Sequence, residues 1–412
     1  MWTRAAKPAH SGRHAAPADR RAGAGAAVML PSKDCHPSWL TQRQASPEGG
    51  RAMPERTPTM LAKLIAVAVA AASTTPLFAA SFATLDGTAP LVIAHRGASG
   101  YLPEHTLGAY ELAIQLGADI VEPDVLLTAD GEAIMMHDTT LTRTTDIEAR
   151  FAPRNGGYAV ADFTLAEIKT LTVDPTGTAA TSYPGFTPSM ADPYKVPTFA
   201  EFLAYVRDYN NTNRTRIGVY PESKIPATTS QNTKIVDLMQ AYGFTAADQN
   251  SYLQTFDHLA ARQLADLQAA RGMTVPVAAL GAAVAMGSGF GVFDFVNGTL
   301  SPLADLATFA GGVGVALASS DLNADFVSAA HAVGLEVHGW TFNIADPIAA
   351  ADQYGSFIGM GLDGLFTNYT DLAVAAVARA ASTPVPLPAG LPLLLGGLGV
   401  MATLTARRTR RA

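Results

Sequence analysis

Short runs of apolar and β-branched residues alternate with longer amphipathic stretches between about residues 88 and 380. The short runs predict nine strands: Leu91–His95, Asp119–Leu127, Ala133–His137, Ile217–Glu222, Tyr252–Phe256, Val275–Leu280, Val313–Ala318, Leu335–Phe342 and Asp363–Phe366. The longer stretches predict helices: Thr106–Leu116, Phe199–Asp208, Asn232–Tyr242, Leu259–Ala270 and Asn323–Val333. Such alternation over about 300 residues predicts an α/β fold with parallel strands, and this length suits a (β/α)8 TIM barrel.

One of the nine strands is surplus to an eight-stranded barrel. Asp119–Leu127 and Ala133–His137 are separated only by a short segment centred on Asp130-Gly131. A parallel connection needs a dozen or more residues, whereas Asp-Gly favours a two-residue hairpin turn. We therefore interpret the two runs as an antiparallel hairpin. Residues 139–195, which are polar and rich in Thr, Pro and Gly, are interpreted as an insertion over one face of the barrel.

The hairpin has a chemical consequence. If Ala129 pairs with Glu132 across the turn, Asp124 lies opposite His137, and strand alternation points Glu122 to the same face. Charged groups that face a barrel interior are costly unless they are paired or bound to a metal ion. Carboxylate oxygens suit Mg²⁺ or Ca²⁺.

Further charged residues follow two other predicted strands. Glu222 ends one strand and is followed by Lys224, and His95 ends the first strand and is followed by Arg96 and a glycine-rich turn. Active sites of such barrels lie at the carboxyl ends of the strands. Two histidines, a carboxylate-bound divalent cation and a pair of cationic side chains form a suitable set for phosphodiester cleavage.

Composition and charge narrow the class of protein. Of the 412 residues, 48% are hydrophobic and 15% are charged, which excludes wholesale disorder. The net charge of −7 argues against a nucleic-acid-binding protein. A single cysteine, Cys35, excludes a disulfide framework and thiolate-rich metal sites.

The N-terminal region is interpreted as lying outside the fold. Residues 60–83 combine a lysine, the apolar run Leu64–Ala72 and small residues, which is the layout of a secretory signal peptide. Residues 1–59 show no sustained apolar period. We interpret them as a disordered tail or a mis-assigned extension upstream of a start at Met60 or Met53.

Residues 383–412 contain a second targeting pattern. The motif Val385–Gly390 precedes an apolar stretch that starts at Leu391, and an arginine cluster closes the chain. This order resembles the VPLPA-type sorting signal of Gram-negative bacteria, which an exosortase-type membrane protease recognises. The resemblance implies export to the periplasm or cell surface with at least transient membrane association. An ordinary C-terminal tail anchor is the alternative.

The barrel region, 88–375, carries motifs of a known family. The matching segments are His95-Arg96-Gly97, Pro103–Thr106, Gly117–Val125, Thr128–Gly131 with His137-Asp138, Leu141–Thr145, Val196–Phe199, Glu222-Ser223-Lys224, Trp340–Asn343 and Asp363–Asn368. In this order they resemble the glycerophosphodiester phosphodiesterase family, whose fold is a barrel of the phosphatidylinositol phospholipase C-like type. The chain departs from the family at His105, where asparagine is usual, and at Asn368, where aspartate is usual.

The resemblance implies a role for each candidate residue. The implied acid/base pair is His95 and His137, the ligands of one Ca²⁺ or Mg²⁺ are Glu122, Asp124 and Glu222, the phosphate contacts are Arg96 and Lys224, and Trp340 borders the pocket. The implied reaction is hydrolysis of a glycerophosphodiester to glycerol 3-phosphate and an alcohol. Attack by the glycerol 2-hydroxyl is favoured, and attack by a metal-activated water is the competing route.

Two other functions stay open at this point. A phospholipase-type phosphodiesterase acting on lysolipids or intact lipids needs an apolar surface near the site, for which Ala278–Phe295 is the candidate. A non-enzymatic scaffold displayed by the sorting signal predicts loss of the carboxylates and histidines, and all of them are present.

Overall fold

The computed structural model describes residues 82–287 and 289–382. The predicted sorting signal lies outside the described residues, and so does the predicted signal peptide except for Phe82 and Ala83. Within the described ranges, no helix combines the length and the apolar character needed to cross a membrane.

Strands and helices alternate as predicted. The strands are β1 (Leu91–His95), β2 (Ile120–Glu122), β3 (Asp124–Leu127), β4 (Ala133–Met135), β5 (Gly218–Val219), β6 (Glu222–Ser223), β7 (Leu253–Thr255), β8 (Val277–Met286), β9 (Gly289–Asp294), β10 (Thr299–Pro302), β11 (Gly312–Ala316), β12 (Glu336–Phe342) and β13 (Gly364–Thr367). The helices are α1 (Leu107–Gln115), α2 (Ile147–Arg150), α3 (Leu165–Ile168), α4 (Phe199–Asn213), α5 (Thr229–Tyr242), α6 (His258–Ala269), α7 (Leu303–Leu306), α8 (Ala324–Ala332), α9 (Pro347–Met360) and α10 (Thr370–Ser382).

The parallel strands close into a barrel. β1 pairs with β2 on one side and with β13 on the other. β2 and β3 are two halves of one barrel strand, and they pair in step with β5 and β6, which are the halves of the next. The circuit continues through β7, β8, β11 and β12 to β13. The predicted (β/α)8 barrel is therefore confirmed.

Two predicted strands are interrupted by proline. Pro123 separates β2 from β3, and Pro221 precedes β6. A proline lacks the N–H group that a ladder requires. The carbonyl of Pro123 still accepts a hydrogen bond of 2.8 Å from the Glu222 amide, so the neighbouring strands stay in register at the break.

β3 and β4 form the predicted antiparallel hairpin, but the predicted register is wrong by one residue. Asp124 lies opposite Met136 and not opposite His137. The turn contains three residues, 129–131, because Gly131 adopts a φ of +78° and closes a longer loop than the two-residue turn assumed. His137 therefore reaches the site from the segment that follows β4.

The barrel interior is filled below the site. Its buried aromatic side chains include Tyr220, Tyr252 and Phe366. The Tyr220 hydroxyl lies 3.0 Å from Nδ1 of the fully buried His338. Residues 139–195 pack a separate small core against the outer side of the hairpin.

Candidate active site

The predicted site residues converge at the carboxyl ends of the barrel strands. A pocket of about 130 Å³, which we term the inner pocket, is lined by seven of the eight: His95, Arg96, Glu122, His137, Glu222, Lys224 and Trp340. The eighth, Asp124, is 1% exposed and contacts Arg96 and Lys224.

Three buried carboxylates form the acidic part of the pocket. Glu122, Asp124 and Glu222 each offer one oxygen, and these oxygens lie within 4.8 Å of one another. Asp124 and Glu222 are partners across the β3–β6 ladder. Glu122 ends β2 and accepts a 2.9 Å hydrogen bond from the Arg96 amide and one of 3.2 Å from Gln254 Nε2.

Two cations lie against this cluster. Lys224 Nζ is 2.8 Å from Glu222 Oε1 and 3.4 Å from Asp124 Oδ1, and Arg96 Nε is 3.2 Å from Asp124 Oδ2. The contact between Lys224 and Glu222 Oε1 is close but misaligned, which leaves that buried oxygen without a hydrogen bond. Three carboxylates against two cations leave one net negative charge when all five groups are ionised.

The three carboxyl groups have different proton affinities. Burial, together with the charges of Asp124 and Glu222, raises the pKa of Glu122 well above its usual range. Burial and the Asp124 charge raise the pKa of Glu222 to about 7, although Lys224 opposes the shift. Burial alone would raise the pKa of Asp124, but Lys224 and Arg96 hold it well below its usual value. Glu122 therefore holds its proton more tightly than an ordinary glutamate, and Glu222 is partly protonated near neutral pH.

The carboxylate cluster could hold a divalent metal ion. Its ligand atoms are all carboxylate oxygens, which Mg²⁺ and Ca²⁺ prefer. Oε1 of Glu222 is paired with Lys224 by charge but accepts no aligned hydrogen bond, so it is available as a ligand. A bound cation would compete with protons for Glu122 and Glu222.

His95 is held by Asn368. Its Nδ1 lies 2.7 Å from Asn368 Oδ1, and Asn368 Nδ2 donates to Asn343 Oδ1 at 2.8 Å, which fixes the orientation of the amide. Nδ1 therefore carries the proton, and Nε2 is left as a proton acceptor. Burial and the neighbouring Arg96 lower the pKa of His95 to about 3, so the ring is neutral at pH 7.

His137 is held by a charged network that sequence reasoning missed. Its Nδ1 lies 2.6 Å from Asp138 Oδ1, and Arg143 Nε donates to Asp138 Oδ2 at 2.6 Å. Arg143 also forms a two-pronged pair with Glu104, at 2.8 and 2.9 Å, and Glu104 in turn accepts from Arg96 at 3.1 Å. Burial lowers the pKa of His137, so both histidines are suited to accept a proton.

His105 takes a supporting position behind the carboxylates. Its Nε2 lies 2.8 Å from Asp124 Oδ2 and its Nδ1 lies 2.8 Å from the Tyr110 hydroxyl. Burial lowers the pKa of His105. A ring protonated on Nε2 donates to Asp124, and the one hydroxyl proton of Tyr110 has two acceptors within reach, Nδ1 of His105 and the Glu122 carbonyl at 2.9 Å.

The fold and the site define a class of protein: an α/β barrel with a buried acidic cluster, two cations and two neutral histidines at the active end. Residues 95–372 match the Glycerophosphoryl diester phosphodiesterase family. A glycerophosphodiester phosphodiesterase of Bacillus subtilis is 32% identical over 303 residues, which cover 72% of this chain and 90% of that protein. The chain belongs to this family.

Other relatives match over shorter lengths. The glycerophosphodiester phosphodiesterase of Haemophilus influenzae is 36% identical over 180 residues, 40% of this chain and 50% of that protein. The Treponema pallidum enzyme of the same name is likewise matched over 51% of its length. The chain thus spans about half the length of these two relatives.

Solved structures of the same fold also match. A phosphodiesterase of Oleispira antarctica, in complex with the product sn-glycerol-3-phosphate, has a TM-score of 0.51 and 23% identity and covers 72% of this chain and 99% of its own. A glycerophosphoryl diester phosphodiesterase of Parabacteroides distasonis has a TM-score of 0.50 and 17% identity, and the match covers 75% of this chain and 95% of that one. At these identities the likeness concerns the fold.

Proposed function

We propose that the protein hydrolyses glycerophosphodiesters to glycerol 3-phosphate and an alcohol, with one Ca²⁺ or Mg²⁺ held by Glu122, Asp124 and Glu222. The observation that carries the proposal is the inner pocket, in which two neutral histidines face a cluster of carboxylates and cations. Membership of the family supports the same reaction.

The residues of the chain divide the work of the reaction. Arg96 and Lys224 bind the phosphoryl oxygens. One histidine, in its neutral form, takes the proton of the glycerol 2-hydroxyl as its oxygen bonds to phosphorus. The other, which must first take up a proton from solvent, enters the step as an imidazolium and gives that proton to the alcohol oxygen as its bond to phosphorus breaks. Water then opens the cyclic phosphate to give glycerol 3-phosphate. A bound divalent cation neutralises charge on the phosphoryl oxygens. Direct attack by water is the competing route.

The first test is release of glycerol 3-phosphate from glycerophosphocholine by the purified protein. It is run with Ca²⁺, with Mg²⁺ and with chelator, beside Glu222→Gln and the control Glu132→Gln. Glu132 lies on the same hairpin and pairs with Lys234 at 3.1 Å, away from the pocket. We expect release that needs metal, is lost in Glu222→Gln and is kept in Glu132→Gln. Release that persists in chelator would overturn the metal assignment.

The order of bond formation has its own test. If the 2-hydroxyl attacks, a glycerophosphodiester whose 2-hydroxyl is replaced by hydrogen is inert, and glycerol cyclic phosphate can be trapped. Hydrolysis of the deoxy substrate at the normal rate would establish direct attack by water.

A second substrate class, lysophospholipids, is favoured by a row of aromatic rings. Trp340 in the inner pocket packs against Phe256 with ring centroids 5.3 Å apart, and Phe256 lies 6.1 Å from Phe295. Phe295 is 51% exposed at the end of β9, beside Val296, which is 39% exposed. The row offers an apolar path for an acyl chain from the pocket to the surface. Of its three rings, Phe295 lies in the region named as the candidate from the sequence, Ala278–Phe295, and Trp340 and Phe256 lie outside it.

This second candidate is tested with lysophosphatidylcholine. Phe295→Ser is expected to lower cleavage of the lipid and to leave glycerophosphocholine cleavage unchanged. Ile348→Ser removes an apolar side chain on α9 that is 76% exposed, against 51% for Phe295, and serves as the control. Equal loss on both substrates would rule out an acyl path at Phe295.

We propose further that the chain is exported and is sorted through its C-terminal signal, with an exosortase-type protease as partner and a periplasmic or cell-surface location. The support is the order of a signal-peptide pattern in 60–83 and a Val385–Gly390 motif followed by an apolar and an arginine-rich segment. The mass of the mature protein from membrane and surface fractions tests it. A mature protein that retains Arg410 and Arg411 in the membrane would favour a tail anchor instead.

A further inference from the structure

A second, wider pocket adjoins the inner one. It has a volume of about 510 Å³, and we term it the outer pocket. His95 and Arg96 line both pockets. A phosphodiester carries two esterified alcohols on one phosphate, and we call each alcohol an arm. With the phosphate held at Arg96 beside His95, one arm enters each pocket. The outer pocket is completed by residues of the insertion, Thr176–Thr178, and by Asn343.

The two volumes distinguish the two arms of the substrate. The glycerol arm is small and constant, and it matches the inner pocket of about 130 Å³ that also contains the carboxylate cluster. The leaving alcohol is the variable arm, and it matches the wider outer pocket.

The carboxylate that lines the outer pocket is already paired. Glu104 is engaged by Arg143 and Arg96 and also accepts from Thr176 Oγ1 at 3.1 Å. The remaining charge on Arg143 is met by Asp138 at 2.6 Å. Both carboxylates of this set thus face a guanidinium group, and Glu104, the carboxylate that lines this pocket among the described residues, already accepts from Arg143, Arg96 and Thr176.

The polar capacity that remains belongs to neutral groups. The Tyr369 hydroxyl must donate to Thr178 Oγ1, 2.7 Å away, because Thr178 gives its own proton to the Gly100 carbonyl, so the lone pairs of the Tyr369 oxygen are free to accept. Asn343 Oδ1 accepts from Asn368, and its Nδ2 has no hydrogen-bond partner among the described residues. A hydroxyl group both donates and accepts, and so matches this set, whereas a quaternary ammonium does neither.

We propose that the outer pocket is a subsite for the leaving alcohol and that it selects neutral, polyhydroxylated head groups, such as glycerol, over cationic ones. This inference rests on the proposed function and names the substrate class of the same site. Asn343 is its specificity-determining residue because its free amide group borders the pocket while its carbonyl oxygen stays bonded to Asn368.

The test compares kcat/KM for three glycerophosphodiesters whose leaving alcohols are glycerol, choline and methanol. Methanol reports the chemistry without an occupant of the outer pocket. Wild-type protein is expected to cleave the glycerol diester roughly three- to tenfold better than the choline diester, as one or two hydrogen bonds would give.

A charge substitution sharpens the test. Asn343→Asp keeps the oxygen that accepts from Asn368 and adds a carboxylate to the pocket. We expect the ratio of choline to glycerol kcat/KM to rise about two- to fivefold, the effect of one partly exposed ion pair. Asn213→Asp makes the same charge change on the exposed end of α4 and should leave the ratio unchanged.

The outcomes separate the subsite from the reaction. No cleavage of any of the three diesters would overturn the proposed function. Two results would overturn the subsite alone if the methanol diester is still cleaved. One is a kcat/KM for the choline diester that equals or exceeds that for the glycerol diester, and the other is an unchanged ratio of the two in Asn343→Asp.

Discussion

Replacing Arg143 should reveal how far His137 depends on a residue that touches neither the inner pocket nor the carboxylate cluster. Arg143 makes four contacts of 2.6 to 3.1 Å with Glu104 and Asp138. In Arg143→Met, Glu104 keeps Arg96 as a counter-ion, but Asp138 loses the one guanidinium partner that it has among the described residues. Asp138 is then free to turn away from His137, which loses its fixed orientation.

The magnitude follows from burial. Hydrogen bonds to charged groups contribute about 1.5–3 kcal/mol each when they are buried. The Arg143 side chain is 38% exposed, whereas that of Glu104 is only 7% exposed, so water offsets much of the loss at one end of the pair and little at the other. We expect a fall of about 2–3 kcal/mol in the free energy of unfolding. The rate should fall roughly 10- to 100-fold, as for residues that orient a catalytic group.

The assays are urea denaturation and the initial rate of glycerol 3-phosphate release. Arg143→Lys should be intermediate, because one ammonium group cannot bridge two carboxylates. Arg150→Met is the matched control, since Arg150 pairs with Asp146 on the surface of the same insertion and is 43% exposed. That control should lose at most about 0.5 kcal/mol and no activity. Wild-type rate and stability in Arg143→Met would refute the assigned role.

Three other predictions follow from the site. Because a carboxyl group with a raised pKa makes the native state bind more protons than the unfolded state, the free energy of unfolding of the metal-free protein should fall, by on the order of 2 kcal/mol, as pH rises from 5 to 8. Since the pKa of Glu222 is raised to about 7, the free energy of unfolding of Glu222→Gln, measured by chemical denaturation, should fall less between pH 5 and pH 8 than that of the wild type. Ca²⁺ should stabilise the wild type more at pH 8 than at pH 5. Gly97→Ala should cost about 2–3 kcal/mol and most of the activity, because φ is +84° and a Cβ would lie 2.8 Å from a backbone carbon of α1. Gly131→Ala, with φ of +78° and no atom within 4 Å, should cost only about 1 kcal/mol in the same thermal or urea assay. Finally, Asn368→Asp places a carboxylate next to Nδ1 of His95 and should raise the pKa of that ring. The acid limb of the plot of kcat/KM against pH should therefore move to higher pH by roughly 1–2 units.

Each of these has a contrary result. Identical pH dependence in wild type and Glu222→Gln would show that this carboxyl group titrates normally. Equal costs for the two glycine substitutions would show that the close contact at Gly97 is relieved by movement. An unchanged acid limb in Asn368→Asp would mean that His95 does not control it.

The barrel and the positions of its site residues could be predicted from the sequence because both depend on local patterns. Buried strands are marked by β-branched runs, and residues such as His95 and Glu222 stand where those runs end. Since parallel strands end on one face of a barrel, proximity in space followed from position along each strand.

The hairpin register could not be obtained in the same way. It depends on the φ of Gly131, and two- and three-residue turns share the same Asp-Gly signal. In the observed register, strand alternation would point His137 to the opposite face from Asp124. β4 ends at Met135, however, so His137 does not follow the alternation, and its side chain reaches the inner pocket.

The support of the histidines was also beyond sequence reasoning. Glu104 and Arg143 are 39 positions apart, and a charge pair at that spacing has no periodic signature. Both residues stand in segments that resemble the family, but a motif does not state which of its members contact each other.

The course of α10 bears on how the enzyme would sit at a cell surface. This helix starts at Thr370, beside the outer pocket, and runs back along the barrel for about 20 Å, so Ser382 lies toward the opposite face. The segment near Leu85 lies on that same face, where its amide donates to Asp363 just ahead of β13. If the proposed sorting signal tethers the chain, the described residues therefore end on the face opposite the catalytic opening.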